Sequence, residues 1–142
     1  MKILIDLSIG KVNNKAMTLS LYNHNHHLLS ITEWKNNKEI LEFDLDLPIE
    51  LKFKTDGKNK FDTIVDDSGN IIADKFIRID GICLDDRWVK TWMLEGKLIQ
   101  FTENLGDTKI SNYFGKNGIG TFSIPYEDLL EFWLETMIDH FA

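Results

Sequence analysis

The sequence predicts a mostly β protein: an antiparallel β-sandwich of the jelly-roll or immunoglobulin-like kind, with one amphipathic C-terminal helix. Three observations predict it. Apolar and polar residues alternate at period two along most of the chain, the spacing of half-buried strands. Turn residues interrupt the alternation at short, regular intervals, which favours a sandwich or barrel. After Pro125 the apolar spacing changes to that of a helix face.

Ile3, Ile5 and Leu7 open the first strand, and Met17, Leu19 and Leu21 mark the next, in MTLSLY. The clearest alternation is EILEFDLDLPIELKFKT. Leu41, Phe43, Leu45, Leu47, Ile49, Leu51 and Phe53 share one parity, and Glu42, Asp44, Asp46, Glu50, Lys52 and Lys54 the other. This run is too long for one strand. Pro48 has no N–H for a ladder, so we expect two strands joined by a kink, with the chain passing between sheets. In KFIRIDGICL, residues 75–84, apolar parity shifts from Ile77 and Ile79 to Ile82 and Leu84 across Asp80-Gly81, the mark of a β-bulge. Strands over 97–102, 108–114 and 119–124 complete the set, and Asn117-Gly118 predicts a type I′ hairpin between the last two. The helix is expected over about 125–141, with Pro125 in its first turn. Its apolar stripe is Leu129, Leu130, Trp133, Leu134, Met137, Ile138 and Phe141, opposite Glu127, Asp128, Glu131, Glu135 and Asp139.

The 142 residues hold no repeat or linker and read as one domain over 1–142. A net charge of -7, with Arg78 and Arg87 the only arginines, argues against nucleic acid as a partner. No apolar stretch reaches the roughly 20 residues of a membrane span. The opening MKILIDLSIG is too short and polar for a signal peptide, so synthesis in the cytoplasm is expected. Cys83 is the sole cysteine, which leaves no intramolecular disulfide and no four-cysteine metal site.

Four groups of residues are candidate sites. The first is KFDTIVDDSGNIIADKF, residues 60–76. An EF-hand centred on Gly69 would begin at Ile64 and end at Lys75, where the chemistry needs carboxylates. It is therefore read as a hairpin turn, Asp-Ser-Gly-Asn being good turn chemistry. A calcium site of another kind would use Asp62, Asp66, Asp67 and Asp74. The second is YNHNHHLL, where His24 and His26 share a strand face; a solvated turn is the favoured reading over a zinc or nickel site. The third is the aromatic set. Trp34, Trp88 and Trp92 are candidate stacking rings for a glycan, Trp34 having the most polar surroundings, whereas Trp133 lies on the helix stripe and is expected in the core. The fourth is the row Glu42, Asp44 and Asp46, a solvated face that discourages edge pairing. No recognised catalytic motif occurs, Cys83 reads as a small buried hydrophobe, and His140 beside Asp139 is no triad. An enzyme is not expected.

The run TDGKNKFDTIVDDSGNIIADKFIRIDGICLD, with SNYFGKNGIGTFSI, resembles a recurring pattern in small uncharacterised β-rich proteins of tailed, notably marine, bacteriophages. It spans residues 55–122; the first 40 residues and the helix lie outside it. The resemblance implies a phage-encoded protein carried on the virion, as capsid decoration or a tail or attachment component, and brings no catalytic residues. The expectation is thus a non-enzymatic structural or binding module made in the host cytoplasm. Its partners would be other subunits, or copies of itself, met through Leu130, Trp133, Leu134, Met137, Ile138 and Phe141. The alternative is a carbohydrate-binding sandwich, in one form calcium-assisted, with Trp34 and Trp88 as stacking rings. A small metal-dependent enzyme around His24 and His26 is the third reading.

Overall fold

The structure, a computed structural model, describes residues 1–32, 34–89, 98–104 and 106–141, and the side chains of all of these but 31, 32 and 136–141. Its strands are β1 (Lys2–Val12), β2 (Lys15–Ala16), β3 (Thr18–Asn23), β4 (His27–Thr32), β5 (Lys38–Asp44), β6 (Ile49–Asp56), β7 (Thr63–Val65), β8 (Ile71–Asp74), β9 (Phe76–Leu84), β10 (Arg87–Trp88), β11 (Ile99–Glu103), β12 (Thr108–Ile110), β13 (Tyr113–Phe114) and β14 (Gly118–Ile124). The helix α1 is Leu129–Phe141.

The strands form two six-stranded antiparallel sheets and a separate hairpin, β7–β8. In the first sheet β1 and β9 pair at the centre; β5 and β2 extend from β1, and β10 and β13 from β9. The second runs β12-β11-β14-β6-β3-β4. Alternation dictates which side chains meet between the sheets. Ile3, Ile5, Leu7 and Ile9 of β1 and Ile77, Ile79, Ile82 and Leu84 of β9 are buried against Leu19, Leu21, Leu51, Phe53, Phe101 and Phe122 of the second sheet. Phe114 of the first sheet stacks on Phe101 of the second at 4.7 Å between ring centroids, joining the layers. The expected sandwich is present.

The EILEFDLDLPIELKFKT run divides at Pro48 as expected. β5 lies on the first sheet and β6 on the second, and the Leu47-Pro48 peptide is cis. The β-bulge is where the parity shift placed it. Asp6 pairs with Gly81 and Leu7 with Ile79, so Asp80 is the extra residue. Ile79 and Ile82 both stay inside, and Asp80 and Gly81 fall on the outer face.

Two expectations fail. Asn117-Gly118 closes no hairpin, because β13 pairs with β9 of the first sheet while β14 pairs with β6 and β11 of the second. Among the described residues, two-residue turns with positive φ at both positions are Asn13-Asn14 between β1 and β2, and Asp85-Asp86 between β9 and β10. The helix begins at Leu129, not Pro125: the Asp128 carboxylate accepts the Leu130 N–H at 2.8 Å and caps it. Its buried centre is Phe132, edge-on to Phe122, with Leu129 and Trp133 partly buried beside it. Leu130 and Leu134 face solvent instead, 59% and 52% exposed.

Candidate functional site

The outer face of the first sheet carries one candidate surface. Register across β5, β1, β9 and β13 sets Lys38, Ser8, Arg78 and Tyr113 in one row. The next rows toward the β10 edge hold Ile40, Asp6 and Gly81, then Glu42, Leu4, Cys83 and Trp88. The Trp88 ring lies over Gly81: a methyl group there would meet the indole Cε3 and Cζ3 at 2.9 Å. Gly81 thus serves the bulge and also makes room for the ring, which remains 46% exposed. Tyr113, on the same flank, stacks on Phe76 at 5.0 Å. The Trp88 and Tyr113 rows are four β1 residues apart, about 13 Å at the rise of a strand.

Between the two aromatics the polar groups are already fixed. The bulged Asp80 accepts hydrogen bonds from Ser8 Oγ, from Arg78 Nε at 2.6 Å and from Lys38 Nζ at 3.1 Å. Burial pushes the Asp80 carboxyl up, but these three donors outweigh it and hold it below its ordinary value. The bond to Asp80 in turn raises Lys38, against the pull of desolvation. Asp6 Oδ1 is shut off from solvent and lies 3.4 Å from Lys38 Nζ. The face is a hydrogen-bonded charged strip bracketed by two rings.

A second, concave feature sits where the loops after β6 and β11 and before β14 converge. This cleft of about 470 Å³ is lined by Lys58, Asn59, Lys60, Glu103, Asn104 and Lys116, among others. Asn117 ties two of its loops together, accepting from Lys58 N at 2.9 Å and donating to Lys58 O at 2.8 Å. Lys58 Nζ is held by Asp74 at 2.6 Å and by the Gly115 carbonyl. Glu103 meets Lys109 at 3.3 Å and Lys116 at 3.4 Å. Burial raises its carboxyl, and the two lysines overcome that and lower it. Phe61, 74% exposed, adjoins the cleft through Lys60, whose ammonium lies 5.0 Å from the ring centroid.

The residues 60–76 turn the chain. Asp66 Oδ1 accepts the N–H groups of Ser68 and Asn70, each at 2.9 Å, closing the β7–β8 turn. Asp62 pairs with the buried Lys75 at 3.0 Å, and Asp74 takes Lys58, Thr63 Oγ1 and the Tyr113 hydroxyl. The backbone N–H of Asn59 is the main cause of the lowered Asp62 pKa. Asp62 and Asp74 are each engaged by a lysine, and Asp67 is exposed. Among the described residues no three His, Cys, Asp or Glu side chains converge, so the four aspartates do not form one donor set. His24 and His26 are exposed in the β3–β4 turn, His24 at positive φ.

Of the tryptophans, Trp34 is not the exposed ring its polar neighbours suggested. It packs partly buried against the core, and its indole N–H donates to Met17 O at 2.7 Å. Among the described tryptophans Trp88 is the exposed one. Trp92 lies outside the described residues, as do the side chains of Met137, Ile138 and Phe141. Trp133 packs against the core with the Arg87 guanidinium 5.8 Å from its ring. Cys83 is buried, and that burial raises its thiol pKa. Lys2 approaches Glu42 at 3.5 Å and the N-terminal ammonium meets Asp44 at 3.0 Å, so lysine and terminus offset the acidic row.

No protein-family model matches the chain, and no curated protein does. Solved structures do. vCBM60 in complex with galactobiose aligns with 87% of this chain and 98% of its own, at a TM-score of 0.54 and 12% identity. The selenomethionine form of vCBM60 aligns with 86% of this chain and 89% of its own, at 0.55 and 10%. That structure is described as part of a circular-permutation link between two families of calcium-dependent carbohydrate-binding modules. The chain shares their sandwich fold. The sequence reading missed Tyr113, Arg78, Asp80 and Lys38 as one surface, although the parity slip at Asp80-Gly81 was its visible signal. The cleft left no such signal, because Lys58 and Lys60 come from the loop after β6 and Lys116 from the loop before β14, far apart in the sequence.

Proposed function

We propose that this protein is a non-catalytic carbohydrate-binding module, and that the outer face of its first sheet is the binding surface. The observation that carries the reading is the exposed Trp88 ring, seated on Gly81 beside Asp80, Arg78 and Lys38. A pyranose presents an apolar face of C–H groups and a rim of hydroxyls. The ring takes the first, while carboxylate and cationic donors take the second. Tyr113 extends the platform to the length of a short oligosaccharide. The shared fold with vCBM60, which binds galactobiose in one of these structures, supports the same class of ligand.

The fold neighbours are described with calcium dependence, whereas Asp62 and Asp74 here are engaged by lysines and Asp66 by turn amides. On this reading the Trp88 face meets the sugar through its own side chains. Affinity electrophoresis against a panel of galactans and xylans, with and without a chelator, tests it. A retarded band that the chelator leaves in place is expected. Trp88→Ala should weaken binding about tenfold or more with its circular dichroism unchanged. Binding unaffected by Trp88→Ala would remove this face from the reading.

A second reading, assembly with other subunits such as those of a virion, is favoured by the solvent-facing Leu130 and Leu134 of α1. Solution mass decides it.

A further inference from the structure

We infer that the loop-end cleft binds an anionic saccharide unit, a sugar ring bearing a carboxylate or a sulfate. The inference rests on the carbohydrate reading and extends it to a second place on the molecule, with its own charge selectivity.

The cleft's charge runs against that of the molecule. The chain carries a net -7, yet three lysines, 58, 60 and 116, line this concavity with Glu103. Their pairing leaves positive charge over. Lys58 is matched by Asp74, but the single carboxylate of Glu103 stands against two ammoniums, Lys109 and Lys116. Lys60 adds a further ammonium above the Phe61 ring. A concave site focuses such an excess, so an anion is favoured there although the whole surface repels it.

The remaining lining suits a sugar better than a bare ion. Asn59 and Asn104 bring amides that donate and accept, as hydroxyls require, and Glu103 accepts from a hydroxyl. About 470 Å³ is roomy for an inorganic anion and falls in the range of small-ligand sites. The walls are pre-set, since Asn117 joins the loops on either side and Lys58 is anchored at two points. Lysines, with no arginine among the lining, read charge as points and suit carboxylate and sulfate alike.

Titration calorimetry on the full chain tests this with three probes: trigalacturonate, a sulfated galactan oligomer and uncharged galactotriose. At least one charged oligomer should bind about tenfold tighter than galactotriose at low salt, an advantage that shrinks as salt is added. Which of the two binds identifies the anion. Lys60→Gln with Lys116→Gln, both exposed side chains, should abolish the advantage and leave Trp88-dependent galactotriose binding intact. Equal binding of charged and neutral oligomers, or an advantage indifferent to the lysine changes, would overturn the inference and leave the sheet-face reading standing. So would displacement by inorganic sulfate at concentrations equal to those of the oligomer, which would make the cleft a plain anion site. If no saccharide of any charge binds, both readings fall.

Discussion

Asp74 joins three parts of the molecule. Its Oδ1 takes Lys58 from the cleft at 2.6 Å and Thr63 Oγ1 from β7 at 2.7 Å, and its Oδ2 takes the Tyr113 hydroxyl at 2.9 Å. Burial raises the Asp74 carboxyl, but the three donors prevail and its pKa is lowered. Tyr113 responds in the opposite sense: burial first, then the Asp74 acceptor, push it up to about 12. The pH consequences follow by linkage. A depressed carboxyl stabilises above its unfolded value of about 4 and loses that contribution as pH falls through its lower folded value. The raised phenol contributes fully below about 10 and loses that contribution as pH rises through its folded value. Asp74→Ala would leave the Lys58 ammonium half-buried with one carbonyl, at a cost of about 1–3 kcal/mol at neutral pH. Urea denaturation should show that loss at pH 7 and a smaller one near pH 3, where wild type has itself weakened. Phenolate absorbance should show Tyr113 titrating earlier in the variant. An unmoved Tyr113 would mean that burial alone sets its value.

At the scale of elements, local pattern carried what local chemistry controls. The unbroken alternation through Pro48 disclosed β5, β6 and their change of sheet, because a half-buried strand must alternate and proline cannot donate. The slip at Asp80-Gly81 disclosed the bulge for the same reason. Pairing between distant strands was not legible. Asn117-Gly118 has the composition of a hairpin turn, yet β13 leaves for β9, a choice made by Phe114 packing between Phe101 and Phe53 in the core. Trp88 could be named from its sequence as a stacking ring, but its seat on Gly81 required the β9–β10 register. Gly118 is needed for another reason than a turn. A methyl group there would run into the Thr102 carbonyl of the paired β11 and meet the Phe101 ring at 2.8 Å. Since neither a ladder carbonyl nor a core ring can withdraw, Gly118→Ala should destabilise by about 1–3 kcal/mol. Thermal unfolding checks this, and a variant as stable as wild type would show that β11 and β14 do not approach this closely.

At the scale of the whole molecule, the open matter is what the C-terminal helix packs against. Its sequence shows one broad apolar stripe, which cannot say whether the chain's own core or another subunit covers it. The structure divides that stripe, packing Leu129 and Trp133 partly on the core, and sets at the buried centre a residue that the stripe did not include, Phe132. Phe132 is buried edge-on to Phe122, whereas Leu130 and Leu134 remain in solvent. These two groups make separable predictions. Phe132→Ala empties a core position between helix and second sheet and should cost about 3–5 kcal/mol, whatever the solution mass. Leu130→Glu with Leu134→Glu alters exposed positions only, so stability should stay within about 0.5 kcal/mol of wild type for each change. Light scattering on the same samples then assigns the helix. We expect an unchanged mass in the leucine variant, because a helix anchored by Phe132 already closes its own sandwich. A fall in mass at unchanged stability would mean that Leu130 and Leu134 hold a second subunit, and the assembly reading would then replace that of a free-standing binding module.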